Sequence, residues 1–327
     1  MRIIRIWLLL VSFVCVSPLA VSAQEETVKI NRVGFLGLTQ DSASTSFRSL
    51  RKGLRDLGYE EHKNLEIEQR YADGVIERLP TLADELAKAH VSVIVTGSIP
   101  AALAAKKATA SIPIVIAAAG DLVGNGLAAS LQHPGGNITG VDEVVPGLSA
   151  KRLELLNEAV PIKSPIAILS SATGPTHAKQ MQDSEQAAQS LGVTLKTFKI
   201  GDAEEIGAAF DSIAQERAGA LLVFSGLLTA LQSKRIVELA FKNRLPAMYW
   251  AINFINQGGL MYYGPNIPRM YEQSASLVDK ILKGANPADI PVEYAKEFEL
   301  VINLKAAKEL GITIPQELIT RANRVIQ

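Results

Sequence analysis

Residues 91–116 read VSVIVTGSIPAALAAKKATASIPIVI, and this stretch decides the fold. Val91, Val93, Ile94 and Val95 make a short β-branched run, too apolar to leave one face in water, as in a buried parallel strand. Thr96-Gly97-Ser98 breaks the run. Ser98 suits an N-cap, Pro100 falls in the first helical turn, and Ala101 to Ala110 is an alanine-rich helix. Ile112 to Ile116 begins another strand. The loop therefore ends on an open helix N-terminus at the carboxyl edge of a parallel sheet. Open α/β sheets bind small ligands at that edge, and free N–H groups there favour an anion. Taken alone, the turn reads equally well as an ordinary capped βα connection.

The 327 residues are 48% hydrophobic and 20% charged, enough for a sizeable core and, by length, for two domains. The first 23 residues stand apart. Arg2 and Arg5 precede an apolar run from Ile6 to Val16, and Val21-Ser22-Ala23 supplies small residues before Gln24, the order of a secretory signal peptide cleaved after Ala23. The run is too short for a comfortable membrane span. Cys15, the only cysteine, lies inside it, so the mature chain has no thiol for a disulfide, a metal or catalysis. Losing Arg2 and Arg5 leaves 31 basic residues (33 minus 2) against 33 acidic ones, a formal charge of −2 that gives no reason to expect a nucleic acid partner.

Working outward, Arg32 to Gly37 reads as a first strand and Leu38 to Ser44 as its loop. A helix follows with Phe47, Leu50, Leu54 and Leu57 on one face, ended by Gly58. Leu65 to Tyr71 alternates as a strand, and Leu79, Leu82, Ala83 and Leu86 mark the inner face of a helix. A short helix near Gly126–Leu131 precedes a strand at Ile138–Val141. From Ser149 the pattern restarts. Helix Lys151–Ala159, strand Pro165–Leu169, strand Val193–Ile200, a helix bearing Ile206, Ala209, Phe210 and Ile213, strand Ala220–Phe224 and strand Pro246–Trp250 repeat the architecture. Gly258–Gly264 is a further strand, Met270 to Leu282 an amphipathic helix, Glu297–Asn303 a strand and Leu304–Leu310 a helix. The reading is α/β: two doubly wound parallel-sheet lobes joined by several crossing segments, which behave as a hinge.

Catalytic and metal chemistry is missing from this pattern. His62, His90, His133 and His177 stand far apart, and there is no nucleophile elbow or Walker loop. Gly124-Asn125-Gly126 lacks the third glycine of a dinucleotide fingerprint. Neither a metal nor a cofactor is expected. Asp121 reads either as partner to a ligand ammonium group or as the cap of the helix after it. Tyr249, Trp250 and Phe254 suit either a ligand or packing between the lobes.

Ordered phrases carry a resemblance: VGFLG, GLRDLGY, KNLEIEQRYADG, RLPTLADELA, IPAALAAKKAT, HPGGNITG, KRLELLNEAVP, GGLMYYGP, DKILKGANPADIPVE and FELVINLKAAKELGITIP, from Val33 to Pro315. The chain resembles the tryptophan/tyrosine-type substrate-binding proteins of ABC transporters, with the periplasmic-binding-protein type I fold. The resemblance implies a periplasmic monomer that captures a small solute and serves an ABC permease and ATPase complex at the inner membrane. It also implies discontinuous lobes: 28–142 with 265–292, and 143–264 with 293–327. Carried onto this chain, the cleft loops fall on Leu38–Asp41, Gly97–Pro100, Gly120–Val123, Ser171–Thr176, Ser225–Leu227, Tyr249–Ala251 and Tyr263. The chain departs from many members at Asp121-Leu122-Val123 and at Ser171-Ala172.

The expected ligand-binding set is Thr39, Gln40, Gly97, Ser98, Ile99, Pro100, Asp121, Val123, Ser171, Thr173, Ser225, Gly226, Tyr249, Trp250 and Tyr263. Ser98 with the N–H groups of Ile99 and Ala101 would take a carboxylate, Asp121 an ammonium, and Trp250 or Tyr249 would cover the apolar part. That set suits an amino acid or an aromatic carboxylate. A sensory receptor for a membrane signalling protein would need the same lobes and is the alternative function. A secreted α/β enzyme would need a nucleophile–base pair or metal cluster that this sequence does not offer.

Overall fold

The computed structural model describes residues 29–160, 165–171 and 176–327, without the side chains of 41–44. The segment read as a signal peptide, with Cys15, lies outside these residues. Strand and helix alternate through β1 (Asn31–Gly37), α1 (Gln40–Asp56), β2 (Leu65–Tyr71), α2 (Leu79–Lys88), β3 (Val93–Thr96), α3 (Ile99–Ala108), β4 (Ile114–Ala119) and β5 (Ile138–Asp142). The second half runs α4 (Leu148–Ala159), β6 (Ile166–Ser171), α5 (His177–Leu191), β7 (Leu195–Ile200), α6 (Glu205–Gln215), β8 (Ala220–Val223), α7 (Leu227–Leu231), α8 (Ser233–Lys242), β9 (Ala247–Tyr249), α9 (Ile252–Asn256) and β10 (Met261–Pro265). The last part adds α10 (Ile267–Leu282), β11 (Glu293–Tyr294), β12 (Phe298–Asn303), α11 (Leu304–Leu310), α12 (Gln316–Arg321) and β13 (Arg324–Ile326).

These strands form two sheets, ordered β11-β5-β4-β3-β1-β2 and β13-β12-β10-β9-β8-β6-β7. The order 2-1-3-4-5 of the first recurs as 7-6-8-9-10 in the second, so each lobe has its switch point between its first and third strands. Val93, Ile94, Val95 and Thr96 of β3 are all completely buried, as a central parallel strand demands. Each such aliphatic contributes roughly 1.5–3 kcal/mol by leaving water. On α2, Leu79, Leu82, Ala83 and Leu86 are the buried residues, and on α6 they are Ile206, Ala209, Phe210 and Ile213.

The sequence reading differs from the structure in four places. Helix α1 starts at Gln40, so the first cleft loop is only Leu38 and Thr39. Leu57 follows the last helical residue and is 43% exposed rather than on the apolar face. The segment after Asp121 forms successive turns instead of a helix, because Gly124, Gly126, Gly135 and Gly136 leave too few helix formers together. And β12 runs antiparallel to β10, pairing Phe298 with Pro265. It enters the second sheet from the end at which β10 leaves, so it can only run back.

The chain passes between the sheets three times: after Asp142, after Pro265 and after Tyr294. Pro265 still pairs in the second sheet and Glu293–Tyr294 in the first, slightly past the lobe boundaries read from the sequence. Helix α10 belongs to the first lobe, where Met270, Tyr271, Leu277 and Val278 share a core with Val33, Phe35, Val93 and Val115.

Candidate functional site

On the first lobe, the carboxyl ends of β1, β3, β4 and β5 form one wall. Ser98 is extended (φ −153°) and its Oγ accepts from the Ala101 N–H at 3.4 Å, so it caps α3. Ile99 and Pro100 in that first turn are half-buried. Behind them the Tyr271 hydroxyl lies against Gly97, where a Cβ would come within 1.6 Å of it. Burial pushes the Tyr271 phenol well above its usual range, against the smaller opposing effect of a hydrogen bond with Ser46, so it stays neutral. Thr39 precedes α1, and Gln40 is the first, exposed residue of that helix.

After β4 the backbone is shaped by its neighbour. Gly140 admits Ile116 O, which would lie 2.4 Å from a Cβ, and the register between β4 and β5 then shifts so that Ala119 faces Asp142. That shift delivers the Asp142 carboxylate to three backbone donors: Asp121 N–H at 3.0 Å, Leu122 N–H at 2.9 Å and Val144 N–H at 2.8 Å. Asp121 itself is left-handed (φ +54°), a conformation Asp tolerates, and its Oδ1 accepts the Gly124 N–H at 2.8 Å. Its carboxylate therefore closes the turn. Val123 projects outward, 39% exposed.

On the second lobe, Ser225 is held from both sides by the buried Gln180 amide. Ser225 N–H donates to Gln180 Oε1 at 2.9 Å, and Gln180 Nε2 donates to Ser225 O at 3.4 Å. Gly226 lies beside Ser171, the last residue of β6. Thr173 is outside the described residues. Trp250 is half-buried, its Nε1 donating to Thr229 Oγ1 at 3.2 Å. Tyr249 is 1% exposed and stacks on Phe254 at 4.7 Å, so its ring fills the lobe's core rather than the cleft. Tyr263 stacks on Phe298 at 6.1 Å.

A cavity of about 700 Å³, open to solvent, lies where the first crossing meets the second lobe. Of the residues read from the sequence, it brings together Ser225 and Trp250. Ala251 of the expected Tyr249–Ala251 loop lines it too, and among the lining residues outside the expected set are Glu143 and Val144 from the crossing, Leu148 and Arg152 from α4, Lys179, Gln180 and Asp183 from α5, and Ile252 and Asn253 from α9. Arg152 is 5% exposed; its Nε donates to Tyr263 O at 2.7 Å and an Nη to Trp250 O at 3.4 Å. Burial lowers its pKa to about 10, still high enough to keep it charged at neutral pH. Glu143 is half-buried, and burial, with Asp142 adding to it, raises its carboxyl to about 7. Asn253 Oδ1 is buried without a hydrogen-bond partner among the described residues. Arg152 carried a legible signal, because it occupies a core position of α4 in line with Leu148, Leu155, Leu156 and Ala159. A charge at such a position has to be explained. Gln180 and Asn253 gave no comparable sign.

Residues 35–326 match the family model described as ABC transporter substrate binding protein. The chain belongs to that family. Among its relatives is the tyrosine-binding protein of Clostridioides difficile (strain R20291), 25% identical over 281 residues, which are 85% of this chain and 81% of the relative. The ABC domain from Streptococcus pneumonia solved in complex with L-Trp is 26% identical, with a TM-score of 0.78 over 91% of this chain and all of that one. A conserved domain protein from Vibrio cholerae o1 biovar eltor is 27% identical, with a TM-score of 0.77 and the same coverage. The two lobes have the periplasmic-binding-protein type I fold of this substrate-binding family. Among the described residues no helix is long and apolar enough to cross a membrane. None of them forms a group of three or more His, Cys, Asp or Glu side chains fit to hold a metal ion.

Proposed function

We propose that this protein captures a free amino acid with an aromatic side chain between its lobes and delivers it, unaltered, to an ABC permease and ATPase complex at the inner membrane. It works in the periplasm as a monomer, after cleavage behind Ala23. The observation that carries this reading is the cavity at the first crossing. It combines an apolar wall of Val144, Leu148, Ile252 and Trp250 with acidic Glu143 and Asp183 and basic Arg152 and Lys179, charges of both signs to meet a zwitterion with an apolar side chain. Relatives at 25 and 26% identity, named for tyrosine and solved with L-Trp, support the same ligand class. Three crossings between the sheets supply the hinge. Closure would bring the first lobe's Gly97–Pro100 and Asp121–Val123 loops over the ligand as the second wall.

A thermal-shift screen of the refolded, ligand-stripped protein against the twenty amino acids and a set of aromatic carboxylates tests the ligand class. Tryptophan or tyrosine should give the largest rise in Tm, since ligand binding only to the folded state stabilises it by mass action. A response confined to sugars, nucleosides or metal ions overturns the proposal. Closure has its own test: small-angle scattering should show a smaller radius of gyration with saturating ligand. An unchanged radius would mean a rigid cleft.

A further inference from the structure

Four carboxylates surround the first crossing, and three of them are spoken for. Asp142 accepts three backbone N–H groups, Asp121 accepts Gly124 N–H, and Asp183 Oδ2 accepts Gly147 N–H at 2.9 Å. Glu143 differs. It lines the cavity, and among the described residues no hydrogen bond or ion pair reaches its carboxylate. Arg152 lines the same cavity as a buried cation whose hydrogen bonds among the described residues all go to carbonyl oxygens. Each of the two charges feels the other's field, yet they form no ion pair. Keeping opposite charges unpaired in a half-buried site is costly unless something bridges them. Asn253 Oδ1 is a further acceptor without a donor at the same wall.

We propose that Glu143 receives the ammonium group of the bound amino acid while Arg152 faces its carboxylate, so that the crossing strand reads the head group and selects amino acids over deaminated acids. This rests on the amino-acid reading above. It shifts the recognition of charge from the first lobe's helix N-terminus to the hinge, next to the pivot of closure. The groups that bear on Glu143 are Asp142, Arg152 and the Tyr262 and Tyr271 hydroxyls, with Lys179 and Asp183 of α5 lining the same cavity. Burial with Asp142 holds its carboxyl near 7, and an ammonium partner draws it into the ionised form. Binding at neutral pH therefore releases a fraction of a proton.

The test is calorimetry on the refolded, ligand-stripped chain with two matched pairs: L-tryptophan against indole-3-propionate, and L-tyrosine against 3-(4-hydroxyphenyl)propionate. The parent should prefer the amino acid of at least one pair by ten- to a hundredfold, the worth of a charge-assisted hydrogen bond. Glu143→Gln should close most of that gap by weakening the amino acid alone. A variant that keeps the gap overturns the assignment, as does one that weakens both members equally. Titration of the parent in buffers of differing ionisation enthalpy needs no variant. Proton release with the amino acid and none with its deaminated partner supports the assignment, and equal release overturns it. If the parent binds no amino acid, the functional reading falls and this assignment with it. If the parent binds one and Glu143→Gln keeps the gap, only the assignment falls.

Discussion

The turn after β4 and the crossing after β5 lie side by side on one sheet edge and treat their carboxylates in opposite ways. In the turn, Asp121 and Asp142 spend their oxygens on backbone N–H groups, which fixes the loop but leaves little for a solute. One residue later, Glu143 is given no such donor and faces a cavity. A polar group that satisfies its own backbone is doing architectural duty. One that the fold leaves unsatisfied, in a place where water and solute can reach it, is available to a ligand. The difference between neighbouring residues 142 and 143 is thus a difference of task.

The largest effect should separate that pair. Asp142→Ala leaves three backbone donors without an acceptor and should lower the free energy of unfolding in urea by about 3 kcal/mol or more. Glu143→Gln should cost nothing measurable in the same assay at pH 8; a loss like that of Asp142→Ala would erase the contrast. Next comes Gly97→Ala. With the Tyr271 hydroxyl 1.6 Å from the new Cβ, overpacking should cost about 1–3 kcal/mol, and unfolding at parental urea concentration would show that Tyr271 moves aside freely.

A smaller effect sharpens the contrast through pH. Glu143 ionises near 7 when folded and at the ordinary 4.5 when unfolded, so its contribution to stability is fully present below 4.5 and is lost as pH rises through 7. The parent should therefore lose stability relative to Glu143→Gln between pH 5 and pH 8, measured by paired urea titrations. A constant difference between the two would mean that the carboxyl is not perturbed. The smallest effect belongs to Ser98→Ala, which removes one cap at 3.4 Å and should cost about 1 kcal/mol in the same titration. A change below 0.2 kcal/mol, roughly the scatter of such a measurement, would mean that the cap is not formed.

Much of the fold was legible because its determinants are periodic and local. The run at Val93–Val95 had to be a central strand, and the spacing of Leu79, Leu82, Ala83 and Leu86 had to be a buried helical face. Ser98 was readable as a cap because Pro100 and an alanine-rich run follow it, although the same turn read equally well as an anion site. The site was less legible. Ser225 and Trp250, just past the ends of β8 and β9, line the cavity, where a rule based on strand ends places them. The same rule misplaced the Tyr249 ring, since it says which residue ends a strand but not which side of the sheet the side chain takes. Arg152 could be found as a charge at a core position of α4, but Glu143 differs from its neighbours only in a bond it does not make, and an unmade bond in three dimensions has no periodicity to betray it.

The return of α10 to the first lobe bears on how the chain comes into being. This helix supplies Met270, Tyr271, Ala275, Leu277, Val278 and Ile281 to the core that Val33, Phe35 and Val95 begin. It fits so closely that a Cβ on Gly53 would stand 2.7 Å from that of Ala275. The ribosome makes five of that sheet's six strands long before it makes α10. Until α10 emerges, that face of the sheet is covered by α1 alone, through Phe47, Leu50 and Leu54, and the first lobe stays unfinished while most of the second is being translated. A chain whose two lobes are both completed only by its C-terminal segments remains threadable until nearly all of it exists.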